Sequence, residues 1–328
     1  MRAKIKTNPE IDAVIEKYAM AVTEDVLETI NPADPADPIA RQYIPDVAEL
    51  VTTPDERDDP IGDEAHSPVK GIVHRYHDRV LLKPVHVCAV YCRFCFRREV
   101  VGPGSETLNP AEMTAAMEYI RATPHVWEVI VTGGDPFVLS PRRLKEIMDA
   151  LNAIPHVQVI RFHTRVPIAD PSRVTDEMIE ALHSEKAVYI VLHANHPNEL
   201  TDKVRAATQK FTRAGMPMLS QSTLLRGVND KADVLEKLFR DLTVMKIKPY
   251  YIHHPDKAPG TSHFRLPLEE GRALIESLRG RLSGIAQPHY VLDIPGGFGK
   301  ILLHKGRVIE EGDAFIVIDD KGNTHKYK

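Results

Sequence analysis

The 328-residue chain contains three cysteines, and all of them lie in one stretch, CAVYCRFCFRR, as Cys88, Cys92 and Cys95. An odd, clustered set of thiols is not a disulfide framework; it points to a reducing compartment and to metal or redox chemistry. Three thiolates on one loop can each hold one iron of a [4Fe–4S] cluster, which leaves the fourth iron without a protein ligand. An electron-transfer site would use a fourth cysteine, so its absence predicts that a substrate or cofactor binds the open iron. A zinc ion held by the cysteines and a histidine such as His86 is the other reading, although structural zinc favours paired C-x2-C arms. Tyr91 and Phe94 interleave the triplet and would shield a cluster.

Other residues of chemical interest follow along the chain. VTGGDP (131–136) places Gly133 and Gly134 where a ligand could approach the backbone, and the Asp135 carboxylate can accept from an ammonium. His193 in VLHANHPNE and Gln221 in LSQSTLLRGVND are polar residues at strand ends. DIPGGFGK (293–300) puts Lys300 after a Gly-rich turn. It is not a phosphate-binding G-x-x-x-x-G-K-[ST] loop, because Ile301 takes the Ser/Thr place. A desolvated lysine amine can be neutral and nucleophilic, as Schiff-base chemistry requires.

The elements that must position these residues are readable from periodicity. Short apolar runs at 79–87, 127–132, 157–164, 187–193, 216–223 and 248–254 alternate with amphipathic segments at 109–123, 140–154, 175–185, 201–215, 230–242 and 267–282. Six βα units in register predict an α/β fold with a parallel sheet and helices outside it, either a partial barrel or an open doubly wound sheet. In both, the site lies at the C-terminal strand ends, where the cysteine loop, GGD, His193 and Gln221 fall. Residues 1–70, rich in Pro and Asp, read as a helical and extended arm with helices at 9–20 and 22–30. The barrel spans 71–284. Residues 285–328 read as a small β-rich segment with turns at Gly296–Gly297, Glu311–Gly312 and Lys321–Gly322. A net charge of −4 and a pI near 6.5 leave no electrostatic footprint for nucleic acid or an anionic membrane. There is neither an apolar run long enough to span a bilayer nor an N-terminal h-region, so a cytoplasmic protein is expected.

C-x3-C-x2-C with an aromatic before its last cysteine resembles the radical S-adenosylmethionine superfamily. There the methionine amino and carboxylate groups chelate the open iron and reduction yields a 5′-deoxyadenosyl radical. The resemblance implies a partial (βα)6 barrel, and Gly133, Gly134, Asp135, His193 and Gln221 match positions around S-adenosylmethionine. PGGFGK resembles the PGGGGK motif of the lysine 2,3-aminomutase family, which implies pyridoxal 5′-phosphate bound to Lys300. By the same resemblance Arg75 and Arg79 surround the cofactor phosphate and Arg97 holds the substrate α-carboxylate. Asp256 and Asp293 grip the distal ammonium of lysine. The activity implied is interconversion of L-lysine and β-lysine by 1,2-amino migration, with the substrate carried as an imine on pyridoxal phosphate. An electron donor such as flavodoxin or ferredoxin and a homo-oligomer are implied too. A related mutase acting on arginine, or one supplying β-lysine for elongation factor P, is the alternative; glutamate is disfavoured because two aspartates would repel it. The chain departs from the family at Phe298, where a glycine is usual, and at His253 and His254, where Tyr and Gln are more frequent. It also lacks the C-terminal cysteines that bind an inter-subunit zinc in the clostridial-type enzymes.

Overall fold

Helix-start chemistry shapes the outer layer of the molecule, seen in a computed structural model that describes residues 8–102, 107–304, 306, 308–312, 314–318 and 322–327. Asn8, Thr23, Asn109, Ser140, Thr175 and Thr201 each accept a first-turn backbone N–H, as side-chain N-caps do. The chain opens with three short helices, α1 (Pro9–Lys17), α2 (Glu24–Leu27) and α3 (Ala40–Tyr43), followed by strands β1 (Ile72–Tyr76) and β2 (Arg79–Val85). Helix and strand then alternate: α4 (Pro110–Arg121), β3 (Glu128–Gly133), α5 (Pro141–Asn152), β4 (Val159–Thr164), the short α6 (Val166–Ala169), α7 (Asp176–Ala181) and β5 (Ala187–His193). They continue through α8 (Asp202–Arg213), β6 (Met218–Thr223), α9 (Ala232–Val244), β7 (Ile247–His253), α10 (Leu268–Ser277), β8 (His289–Asp293) and β9 (Lys300–Leu302). Last come β10 (Val308–Glu311), β11 (Ala314–Ile318) and β12 (Thr324–Tyr327).

Strands β1 to β9 form one sheet in sequence order, and β10 to β12 form a separate antiparallel sheet. Strands β2 to β8 run parallel, with β1 and β9 antiparallel at the two edges. All six expected βα units are present, in a partial barrel. β8 and β9, which the sequence grouped with the C-terminal segment, instead extend the main sheet, so Lys300 sits on its edge strand. The expected turns at Gly296–Gly297 and Gly312 occur, each glycine at positive φ; Lys321 lies outside the described residues. The core is the apolar interface between sheet and helices, including Val129, Val131, Ile160, Phe162 and Ile190 from the strands and Leu144, Ile147, Phe211 and Phe239 from the helices.

The N-terminal arm is laid against the cysteine loop. Val22, Ile39 and Tyr43 pack with Val90 and Ala169. The backbone N–H groups of Tyr91 and Arg93 donate to the carbonyls of Ala21 and Gln42 at 2.9 and 2.8 Å. The guanidinium of Arg93, 2% exposed, takes a bidentate hold on buried Glu49 at 2.6–3.1 Å and also donates to Ala19 O. Arg98 joins the same carboxylate. A buried pair so fully hydrogen-bonded fixes geometry more than it adds stability, and what it fixes here is the loop carrying the cysteines.

Candidate active site

The cysteine loop leaves β2 and is stitched to the loop after β3. Gly134 N donates to Val85 O at 2.7 Å and Asp135 N to Val87 O at 2.9 Å, directly before Cys88. A side chain at Gly134 would run into the Val87 carbonyl and lie 2.7 Å from the His86 carbonyl carbon, so close approach of two loops requires glycine there. Cys88, Cys92 and Cys95 line one cavity of ≈ 160 Å³ with Gly133, Gly134, Asp135, His193 and Gln221. His193, the last residue of β5, pairs in register with Gln221, two residues before the end of β6, and Phe94 packs edge-on against His193 at 5.8 Å. The residues expected around S-adenosylmethionine are thus brought together.

Asp135 differs in detail from expectation. Its oxygens accept from Phe137 N, Thr164 Oγ1, Arg165 N and Val166 N at 2.6–3.0 Å, two donors to each oxygen. The carboxylate therefore ties the β3 and β4 loops together, and what this turn offers a ligand is backbone.

The donor set fits an iron–sulfur cluster. The three thiols share one wall, yet among the described residues no three Cys, His, Asp or Glu side chains converge at single-ion spacing. In a cluster each thiolate meets its own iron, so convergence on one point is not required. Burial pushes all three thiols up, Cys92 to about 11 with the Arg165 guanidinium opposing, so metal must displace the protons on binding.

A second cavity of ≈ 620 Å³ is lined by Arg75, Arg79, Arg97, Asp256, Asp293 and Lys300. Lys300 Nζ contacts Asp293 Oδ2 and lies 3.3 Å from His253 Nδ1, and its backbone N–H donates to Tyr76 OH at 2.8 Å. Burial would raise the Asp293 carboxyl, but hydrogen bonds from His253 and Lys300 and the Lys300 charge hold it well below the usual range. Asp256 behaves oppositely: burial and the Asp293 charge raise it to about 7, against Lys300 and Arg97. An anion in this cavity would find Arg75, whose buried Nε has no partner among the described residues, and Arg79, which stacks on Tyr76 at 4.0 Å and pairs with Asp78. The lining therefore offers guanidinium groups to an anion and a lysine amine to an electrophile.

The two cavities have one wall in common, made of Phe96, Arg97, Thr132, His163, Gln221, His253 and Asp256. Sequence reasoning missed several residues here. Asp63 from the arm is buried and contacts Arg97 at 2.9 Å, Arg75 at 3.0 Å and Lys83 at 3.6 Å, so one carboxylate joins two of the three expected anion-binding arginines. Arg165 is held by Tyr43, Gln42 and Glu199 in the wall of the cysteine cavity. The only sequence signal for Asp63 is an acidic cluster, DERDDPIGDE, which reads as solvated loop.

A family model described as the radical SAM superfamily matches residues 82–238. The L-lysine 2,3-aminomutase of Acetoanaerobium sticklandii is 38% identical over 304 residues, covering 93% of this chain and 73% of that protein. The L-lysine 2,3-aminomutase of Clostridium subterminale matches with the same identity and coverage. The glutamate 2,3-aminomutase of Clostridioides difficile is 35% identical over 313 residues, covering 95% of this chain and 74% of that protein. Among the described residues no helix is long and apolar enough to cross a membrane.

Proposed function

The chain belongs to the lysine 2,3-aminomutase family of radical S-adenosylmethionine enzymes, and from that premise we propose that it moves the α-amino group of L-lysine to the β-carbon, giving β-lysine. One observation carries the reading: the cysteine cavity and the Lys300 cavity share a wall, so a radical made in the first can act on a substrate held in the second. When bound, a [4Fe–4S] cluster with S-adenosylmethionine supplies the 5′-deoxyadenosyl radical, and pyridoxal 5′-phosphate supplies the conjugated system that carries the migrating nitrogen.

In this reading Cys88, Cys92 and Cys95 hold three irons. The backbone at Gly133 and Gly134, with His193 and Gln221, holds the methionine and adenosyl parts of S-adenosylmethionine, while Asp135 keeps that turn in place. Lys300 would hold the pyridoxal aldehyde through its amine. Arg75 and Arg79 face the phosphate. Arg97 takes the substrate α-carboxylate, its guanidinium oriented by Asp63 and the Phe96 ring. Asp293 is freed of its Lys300 contact once that amine is covalently engaged, and with Asp256 it receives the distal ammonium.

Sequence identity separates lysine from glutamate only weakly, at 38% against 35%. The acidic pair supports lysine: a second carboxylate beside Asp256 and Asp293 would be repelled, whereas an ammonium would neutralise both. A reducing, cytoplasmic setting, a flavodoxin- or ferredoxin-type donor and a homo-oligomer complete the proposal; the exposed apolar Trp127, Ile301 and Leu302 around the Lys300 cavity support the last. The test is product analysis after anaerobic reconstitution with iron, sulfide, S-adenosylmethionine, pyridoxal phosphate and dithionite. L-lysine should yield β-lysine and L-glutamate nothing; the reverse would overturn the substrate assignment.

A further inference from the structure

His253 closes β7 in the wall common to both cavities. Its Nδ1 is 3.3 Å from Lys300 Nζ and 3.4 Å from Asp293 Oδ2, so the three side chains form a triangle around the reacting amine. Its Nε2 is buried with no partner among the described residues. Facing it are Lys300 on β9, Asp293 on β8, Tyr251 on its own strand, with ring centres 5.7 Å apart, His163 on β4, His193 on β5 and Asp256 on the following loop.

We infer that His253 is the proton carrier for exchange at Lys300: its imidazole takes a proton from the incoming substrate ammonium and returns one to the departing lysine amine. This rests on the reading of Lys300 as the residue bonded to pyridoxal phosphate. In the exchange one C=N bond to Nζ breaks and one C=N bond to the substrate nitrogen forms. The substrate nitrogen loses protons one for one as Nζ gains them, so no oxidant, reductant or external proton is needed.

Other groups in reach are poorly suited. Asp293 is held so far down by its partners that it is a weak base, and Asp256 is committed to the substrate's distal ammonium. Burial and the Lys300 charge push His253 down, so its ring is neutral near pH 7 and Nδ1 can accept from a protonated amine. Asp293 orients the ring and steadies it once protonated.

The experiment uses the full chain loaded with pyridoxal 5′-phosphate alone, so that no cluster chemistry enters. Borohydride reduction followed by peptide mass analysis reads attachment at Lys300, and stopped-flow absorbance reads exchange with L-lysine across pH. His253→Asn keeps a hydrogen-bonding group without a titrating one; His253→Phe removes both, and if it fails to fold His253→Asn carries the test. The expected result is label on Lys300 equal to wild type, exchange roughly 10²-fold slower at neutral pH, loss of the rising limb of the pH profile, and acceleration by added imidazole. Label with a wild-type rate, or a slower rate whose pH limb persists and which imidazole does not restore, would overturn the proposal. Absence of label in wild type overturns the Lys300 reading itself, and this inference with it.

Discussion

Asp256 is the residue at which recognition of a cation should be visible as a cost to the empty protein. Its carboxyl is raised from 3.8 to about 7 by burial and by the neighbouring Asp293 charge. A carboxyl raised by folding contributes its full share of stability at low pH, where both states are protonated. That share is lost as pH rises from the unfolded value through the folded one. Each pH unit in that window costs about 1.4 kcal/mol, so the penalty grows from about pH 4, levels off just above pH 7, and amounts to about 4 kcal/mol. Asp256→Asn removes the titration while keeping the shape. In urea unfolding of the cofactor-free chain, the variant should gain on wild type progressively between pH 4.5 and pH 8. The same substitution should raise KM for lysine roughly 10- to 100-fold, the equivalent of one charged hydrogen bond. It should also abolish the fall in wild-type KM as pH rises through 7. A stability difference that stays constant over this pH range would refute the electrostatic account of the acidic pair.

Three further outcomes follow from the geometry. Cys92→Ser should bring bound iron and the visible absorbance of reconstituted protein to background with an unchanged far-ultraviolet circular dichroism spectrum, because no other cysteine exists to replace it. Gly134→Ala should abolish S-adenosylmethionine binding by calorimetry and cost about 1–3 kcal/mol of stability, since its methyl would meet the Val87 carbonyl. Asp63→Asn should destabilise the fold by roughly 3–5 kcal/mol in urea, because Arg75, Arg97 and Lys83 would lose their common counter-charge. Burial would raise the Asp63 carboxyl, but Arg97 and Lys83 outweigh it and hold it below its ordinary value. Its contribution is therefore intact at pH 5 and lost only as pH falls through that lowered value.

The six βα units were legible because each couples two local signals, an apolar strand run and a capped amphipathic helix, and both agree with the fold. Cys88, Cys92, Cys95, Gly133, Gly134 and Lys300 stand out in the sequence because their spacing is itself chemical information, and the fold brings the first five to one cavity and Lys300 to the next. β1 and β8 were harder. IVHRY mixes two apolar residues with three polar ones, and HYVLD is followed by a Gly-rich turn that reads as the start of a loop. Asp63 was not legible at all, because its burial comes from partners at positions 75, 83 and 97 that only the folded arm brings near. The hydrogen bonds of Asp135 were not legible for a related reason: three of its four donors lie about 30 residues away, at the end of β4 and just beyond it. Local sequence names the group that can accept a hydrogen bond, whereas the fold determines which donor reaches it.

The central claim is that the cysteine and Lys300 cavities work as one reaction chamber. The most direct test is turnover of L-lysine deuterated at C3 by the reconstituted enzyme, with mass analysis of S-adenosylmethionine, 5′-deoxyadenosine and product. One chamber predicts deuterium on the 5′ carbon of the adenosyl group and at C2 of β-lysine. Formation of β-lysine with no deuterium on the adenosyl carbon would contradict it.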